Sequence, residues 1–206
     1  ENCTPLRTIN QSQVVEMAVG LWLVVVPVAF NVQPAFVPRA APRHAFATCR
    51  LANFAGEWEM DLKASSALGP ALRELGLNRV AAALITRLGV SQSITQDGAA
   101  VTVFVKTSVS SSTLVLTLDG SSTMAPGVTG GESACVSRWL DDERLETRQS
   151  VAGEGETLPP SAADADVFVT IRSLREGGNV LVEDVSVVRG GKTVDGTRAE
   201  RLLRRA

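Results

Sequence analysis

The chain has no tyrosine and a single histidine, His44, which lies in a stretch read below as a leader. The remaining sequence therefore has no Ser-His or Cys-His nucleophile pair, no His-based metal site and no proximal histidine for haem. The cysteines are Cys3, Cys49 and Cys135 only. They are too few and too scattered for a disulfide framework or a zinc site, and Cys135, in a strand-like run, reads as a buried thiol. Formal charge is near balance, at −2, so nothing pulls the chain strongly toward nucleic acid or an anionic membrane. The apolar run Ala18–Phe30 is interrupted by Gly20 and Pro27. It falls short of the roughly 20 apolar residues a membrane span needs.

Acidic residues are also missing from one place: none occurs between Met17 and Glu57. That segment opens with the apolar run, which has the character of a signal-peptide core. Small residues, Phe, Arg39, Arg43 and Arg50 follow, the composition of an organelle transit peptide. Residues 1–50 are read as a leader: 1–16 as sequence upstream of the start, 17–50 as signal plus transit peptide. The two parts in series, joined at AFVPR, resemble the bipartite leaders of algae with secondary plastids. A plastid is the implied destination, with secretion or the cytoplasm as alternatives.

Residues 51–206 carry the folding pattern, and about 150 residues suit one domain. Gly56-Glu57-Trp58 starts a strand, with Trp58, Met60 and Leu62 alternating inward and Trp58 plugging a closed end. Ser65 or Ser66 caps a first helix whose inner face is Leu68, Leu72 and Leu75, and Gly76 ends it. Asn78 caps a second helix, with Val80, Leu84, Ile85 and Leu88 inward. From there the period becomes two. Strands are expected at Ser91–Gln96, Val101–Thr107, Thr113–Leu118, Ser133–Leu140, Arg144–Val151, Asp166–Leu174 and Val180–Val188, with a last one ending near Leu203. A poor edge strand fits within 121–131. Asp97-Gly98, Asp119-Gly120 and Gly190-Gly191 are turn signals. The acidic trio Asp141-Asp142-Glu143 reads as a solvated turn, and residues 152–165 as a mobile insertion. The fold class is all-β: a ten-stranded antiparallel up-and-down barrel with a two-helix lid between the first and second strands.

The pieces GEWEMDL, ALGPALRELGLNRVAAALITRL and VSQSITQDGAAVTVFVKTSVSSSTLVLTLDG, in that order, resemble the intracellular fatty-acid-binding proteins of the calycin superfamily. The resemblance covers about residues 53–206. It implies a ligand carboxylate held by one arginine on the strand 166–174 and by an Arg-x-Tyr on the last strand. Counting back from the REGGNV turn puts Ser173 at the first position and Arg172 one residue off, facing outward unless a bulge re-aims it. On the last strand Arg201-Leu202-Leu203 matches Arg-x-Tyr, so Arg201 is kept and Leu203 stands for the tyrosine. A shifted match uses Arg198 instead, and only one of the two should point inward. A two-residue Gly190-Gly191 turn puts Arg201 on the same face as Asp184, its expected partner in the empty barrel.

The function these features imply is non-catalytic carriage of a small hydrophobic ligand, such as a fatty acid, another lipid or a carotenoid. The ligand-binding candidates are Arg201, Leu203, Ser173, Arg172, Arg198 and Asp184, with no catalytic residue, metal or cofactor. The expected state is a monomer that touches membranes transiently through its lid. Two alternatives stand beside this reading: a structural subunit of a plastid membrane complex, and a lipid isomerase using an interior carboxylate such as Asp184.

Overall fold

The computed structural model describes residues 51–151 and 166–206, so the leader and the insertion 152–165 lie outside the described residues. The chain order is β1 (Gly56–Met60), α1 (Gly69–Glu74), α2 (Arg79–Arg87), β2 (Val90–Gln96), β3 (Ala100–Thr107), β4 (Ser111–Thr117), β5 (Ser122–Pro126) and β6 (Glu132–Trp139). It continues through β7 (Leu145–Ser150), β8 (Val167–Arg175), β9 (Val180–Arg189), the two-residue β10 (Lys192–Thr193) and β11 (Ala199–Arg205). Ten strands pair antiparallel in the order β4-β3-β2-β1-β11-β9-β8-β7-β6-β5, with β10 pairing β9 off this path. The ends of the path, β4 and β5, meet at a seam that the Thr123 hydroxyl crosses to the Val115 carbonyl, 3.4 Å away. The result is a nearly closed barrel with both helices between its first two strands. Closure leaves few strand edges open to a stray partner.

One end is plugged by aromatic packing. Trp58 is fully buried, and its indole N–H donates to the Phe54 carbonyl at 2.9 Å. Phe54 stacks on Trp139 at 5.6 Å, and the Arg205 guanidinium lies 4.5 Å over the Trp58 ring. Leu145, Leu181 and Leu203 complete the plug. Leu62 does not join it: β1 stops at Met60, and Leu62 is exposed.

Helix α1 covers a second apolar cluster, where Ala71 and, just past the helix end, Leu75 pack on Phe168, Val185, Val187 and Ala199. Arg189 fastens α1 to the sheet, pairing with Glu74 at 2.9 Å and Asp166 at 2.6 Å. Helix α1 starts later than the serines imply. Ser65 and Ser66 do not cap it, because both are stitched to β11: the Leu202 N–H donates to the Ser65 hydroxyl at 2.9 Å, and the Ser66 hydroxyl donates to the Glu200 carbonyl at 3.0 Å. Leu68 takes the cap position without a side-chain bond, and Pro70 occupies the first turn. Asn78 does cap α2, its side chain accepting from the Ala81 N–H at 2.8 Å. The inner face assigned to α2 is corrected. Ala82 is its buried residue, while Val80 and Leu84 are exposed.

Candidate functional site

Along β9 the inward residues are Leu181, Glu183, Val185 and Val187. Leu181 belongs to the aromatic plug, and Val185 and Val187 to the helix-covered cluster. Glu183 therefore sits between two apolar zones, 1% exposed. Two strand neighbours face it: Arg172 across β8 and Arg201 across β11. The Arg172 Nε donates to Glu183 Oε1 at 3.1 Å, and the Gln92 amide donates to the same oxygen at 3.2 Å. Arg201 Nη1 approaches Oε2 at 3.1 Å as an ion pair without hydrogen-bond alignment. Arg172 Nη1 also donates to the Thr147 hydroxyl at 3.2 Å.

Burial pushes the Glu183 carboxyl upward. Arg201 and Arg172 beside it, with the Gln92 amide, outweigh that and hold it below its ordinary value. The cluster is thus two guanidinium ions around one carboxylate, formally +1, bordered by Gln92 and by the hydroxyl pair of Ser137 and Thr147. Ions taken out of water this way survive only when paired and hydrogen-bonded. Cys135 lies inward nearby on β6 as a free thiol, 1% exposed, and burial raises its pKa to about 11.

Arg201 reaches Glu183 with an 18% exposed side chain, and its Nη2 is 4.0 Å from the Met60 sulfur. Leu203 is fully buried in the plug opposite Met60 and Leu181. Arg172, expected to face outward, is buried. The turn Glu176–Asn179 sets Arg175 opposite Val180, so Leu174 and Arg172 face Leu181 and Glu183 and share their inward phase. Ser173 sits opposite Val182 on the other face, half-buried, without a bulge.

Asp184 does not partner Arg201. It stands opposite Ile171 and Glu200, on the face away from Glu183. The Gly190-Gly191 turn pairs Thr193 with Val188, but Ala199 pairs with Val185. The second strand thus advances six residues where β9 advances three. The excess loops out around Gly196 (φ +75°), held by the Thr197 hydroxyl, which donates to the Val194 carbonyl at 2.7 Å and accepts from the Val187 N–H at 3.1 Å. An odd shift moves every side chain to the opposite face. Arg198 falls in this excursion and is exposed.

Glu183, Gln92 and Thr147 were absent from the sequence expectation. Among the described residues, no group of three or more His, Cys, Asp or Glu side chains is placed to hold a metal ion.

No family model and no curated protein matches the chain. Solved structures do. A Schistosoma mansoni fatty-acid-binding protein in complex with arachidonic acid is 15% identical with a TM-score of 0.58, over 76% of this chain and 98% of that one. The fatty-acid-binding protein 1 of Echinococcus granulosus is 16% identical with a TM-score of 0.57, over 74% and 97%. Human cRBP IV is 15% identical with a TM-score of 0.56, over 75% and 99%. At such identities the likeness is one of fold: residues 51–151 and 166–206 form a ten-stranded barrel with two helices between its first strands, as in these solved structures.

Proposed function

We propose that this barrel is a non-catalytic carrier of a small hydrophobic ligand, held inside the sheet beneath the helices. The observation that carries the reading is the Arg172–Glu183–Arg201 cluster. It is a polar anchor between apolar zones, where the polar end of an otherwise apolar molecule would be fixed. The fold likeness supports it, since the similar structures include proteins described as fatty-acid-binding, one holding arachidonic acid.

The outer face of the helices suits transient contact with an anionic lipid surface. Val80 and Leu84 are exposed there, beside an open cleft of about 330 Å³ lined by Ala82, Ala83, Thr86, Arg73, Arg79 and Arg87. Among the described residues no carboxylate pairs with these three arginines. Apolar side chains ringed by arginine bind an interface by insertion and charge together. The carrier works as a monomer, and the acid-free N-terminal segment directs it to a plastid.

Native mass spectrometry of the full chain, expressed in a lipid-rich extract, tests the reading. The expected spectrum shows a monomer carrying one extra mass in the range of single lipids, released on collisional activation. A bare monomer under the gentlest conditions would contradict it.

A further inference from the structure

Resting on the membrane contact proposed above, we infer that the cleft between α1 and α2 is a binding site for one lipid headgroup, a phosphate monoester held by Arg73, Arg79 and Arg87. The three guanidinium groups line a single open cleft of about 330 Å³ with no acidic side chain in its wall. That volume is at the small end for ligand clefts, room for a headgroup and not for an acyl chain. Both helices supply the cations: Arg73 comes from the last turn of α1, and Arg79 and Arg87 from the two ends of α2. Spacings of four residues put Arg79, Ala83 and Arg87 on one face of α2. The remaining wall is made of small residues such as Gly69 and Ala82, so the long arginines are what a ligand meets.

No carboxylate of the chain answers these cations. The sequence has no acidic residue between Glu74 and Asp97, and Glu74 itself pairs with Arg189 at 2.9 Å. On a chain of formal charge −2, three uncompensated arginines at one cleft are a local feature and not a general basicity. Guanidinium forks fit phosphate oxygens two at a time. A monoester offers three terminal oxygens and about −1.5 to −2 of charge at neutral pH, where a diester offers fewer oxygens and a single charge. Three arginines therefore favour the monoester. The source is a lipid because Val80 and Leu84 stand beside the cleft, 78% and 57% exposed. Each follows a cleft residue by one position, Arg79 and Ala83, so together they form the neighbouring stripe of the same helix. A headgroup seated on the arginines brings that stripe against the acyl region, where its burial adds to the charge attraction.

Co-sedimentation of the full chain with phosphatidylcholine vesicles tests this, doped with about 10 mol % phosphatidate or, to match the charge, about 20 mol % phosphatidylglycerol. The acid-free N-terminal segment adds the same charge attraction to both surfaces, so the ratio of the two affinities is the readout. A discrete site gives phosphatidate a preference of about tenfold or more, the worth of a charge-assisted hydrogen bond. Arg79→Gln and Arg87→Gln should each bring the ratio toward one. Val80→Ser combined with Leu84→Ser should weaken binding to both vesicles and leave the ratio. All four side chains are exposed, so none of these changes removes a core contact. Soluble glycerol 3-phosphate, at the same phosphate concentration, should not release the chain from phosphatidate vesicles. Equal affinities for the two vesicles, or a preference that survives both arginine substitutions, overturn the inference and leave a diffuse membrane contact standing. Release by glycerol 3-phosphate overturns the assignment to a lipid. Binding to neither vesicle overturns the membrane contact as well, and the carrier reading is decided separately by the bound mass in the native spectrum.

Discussion

Arg172 is buried against a carboxylate that has one other cation near it. Removing it in Arg172→Leu leaves Glu183 half-compensated in the barrel, and the expected loss is about 3 kcal/mol in urea unfolding. Arg198→Leu, at an exposed excursion, should stay within about 0.5 kcal/mol. Acid probes the same cluster. The folded Glu183 carboxyl titrates below its ordinary 4.5. Its stabilisation is therefore complete above that value and lost as pH falls through the lower, folded value. Urea midpoints at pH 7 and pH 3 should differ more for the unmodified chain than for Glu183→Gln; equal differences would mean Glu183 is not held as a buried ion. The Cys135 thiol should resist a thiol reagent at pH 8 until the chain is unfolded, scored in a Cys3→Ser, Cys49→Ser background. Residue-scale phase was the part least visible in the sequence. The run VLVEDVSVV is apolar on both faces, so alternation alone does not say whether Glu183 or Asp184 points inward. The odd excursion around Gly196 then inverted the count from the Gly190-Gly191 turn.

Elements were far more legible than phases. Trp58, the Asn78 cap and the Asp97-Gly98 turn all fall where expected: the Asp97 carboxylate accepts from the Ala99 and Ala100 N–H groups, and Gly98 takes φ +89°. These signals are local, so the sequence states them directly. What was hidden depends on distant partners. Ser65 and Ser66 look like caps until β11 claims them, and β5 is recognisable as a strand chiefly through its pairing with β6. The two helices also differ in their hold on the barrel. Ala71, Leu72 and Leu75 anchor α1, whereas α2 buries only Ala82. Hydrogen exchange should accordingly be fastest in residues 79–87, slower in α1 and slowest in β2–β4. Bound ligand should slow the α2 amides; equal rates with and without ligand would make the helices packing alone. Asn78→Ala should cost about 1 kcal/mol of helix stability and raise α2 exchange further.

For the molecule as a whole, the proposed destination and cargo are separable. Residues 17–56 fused to a fluorescent reporter should carry it into the plastid of an alga with secondary plastids, and cytosolic retention would count against the leader. The cargo claim is that a lipid lies inside the barrel, alongside the Glu183 cluster. An isotope-filtered nuclear Overhauser spectrum of the ¹³C-labelled full chain, saturated with unlabelled 1-hexadecanol, measures this directly. The account predicts cross-peaks from ligand methylenes to the inward methyls of Val103, Leu116 and Val185, and none to the exposed methyls of Val109 and Val115. Cross-peaks confined to Val109, Val115, Val80 or Leu84 would place the lipid on the outside and contradict the account.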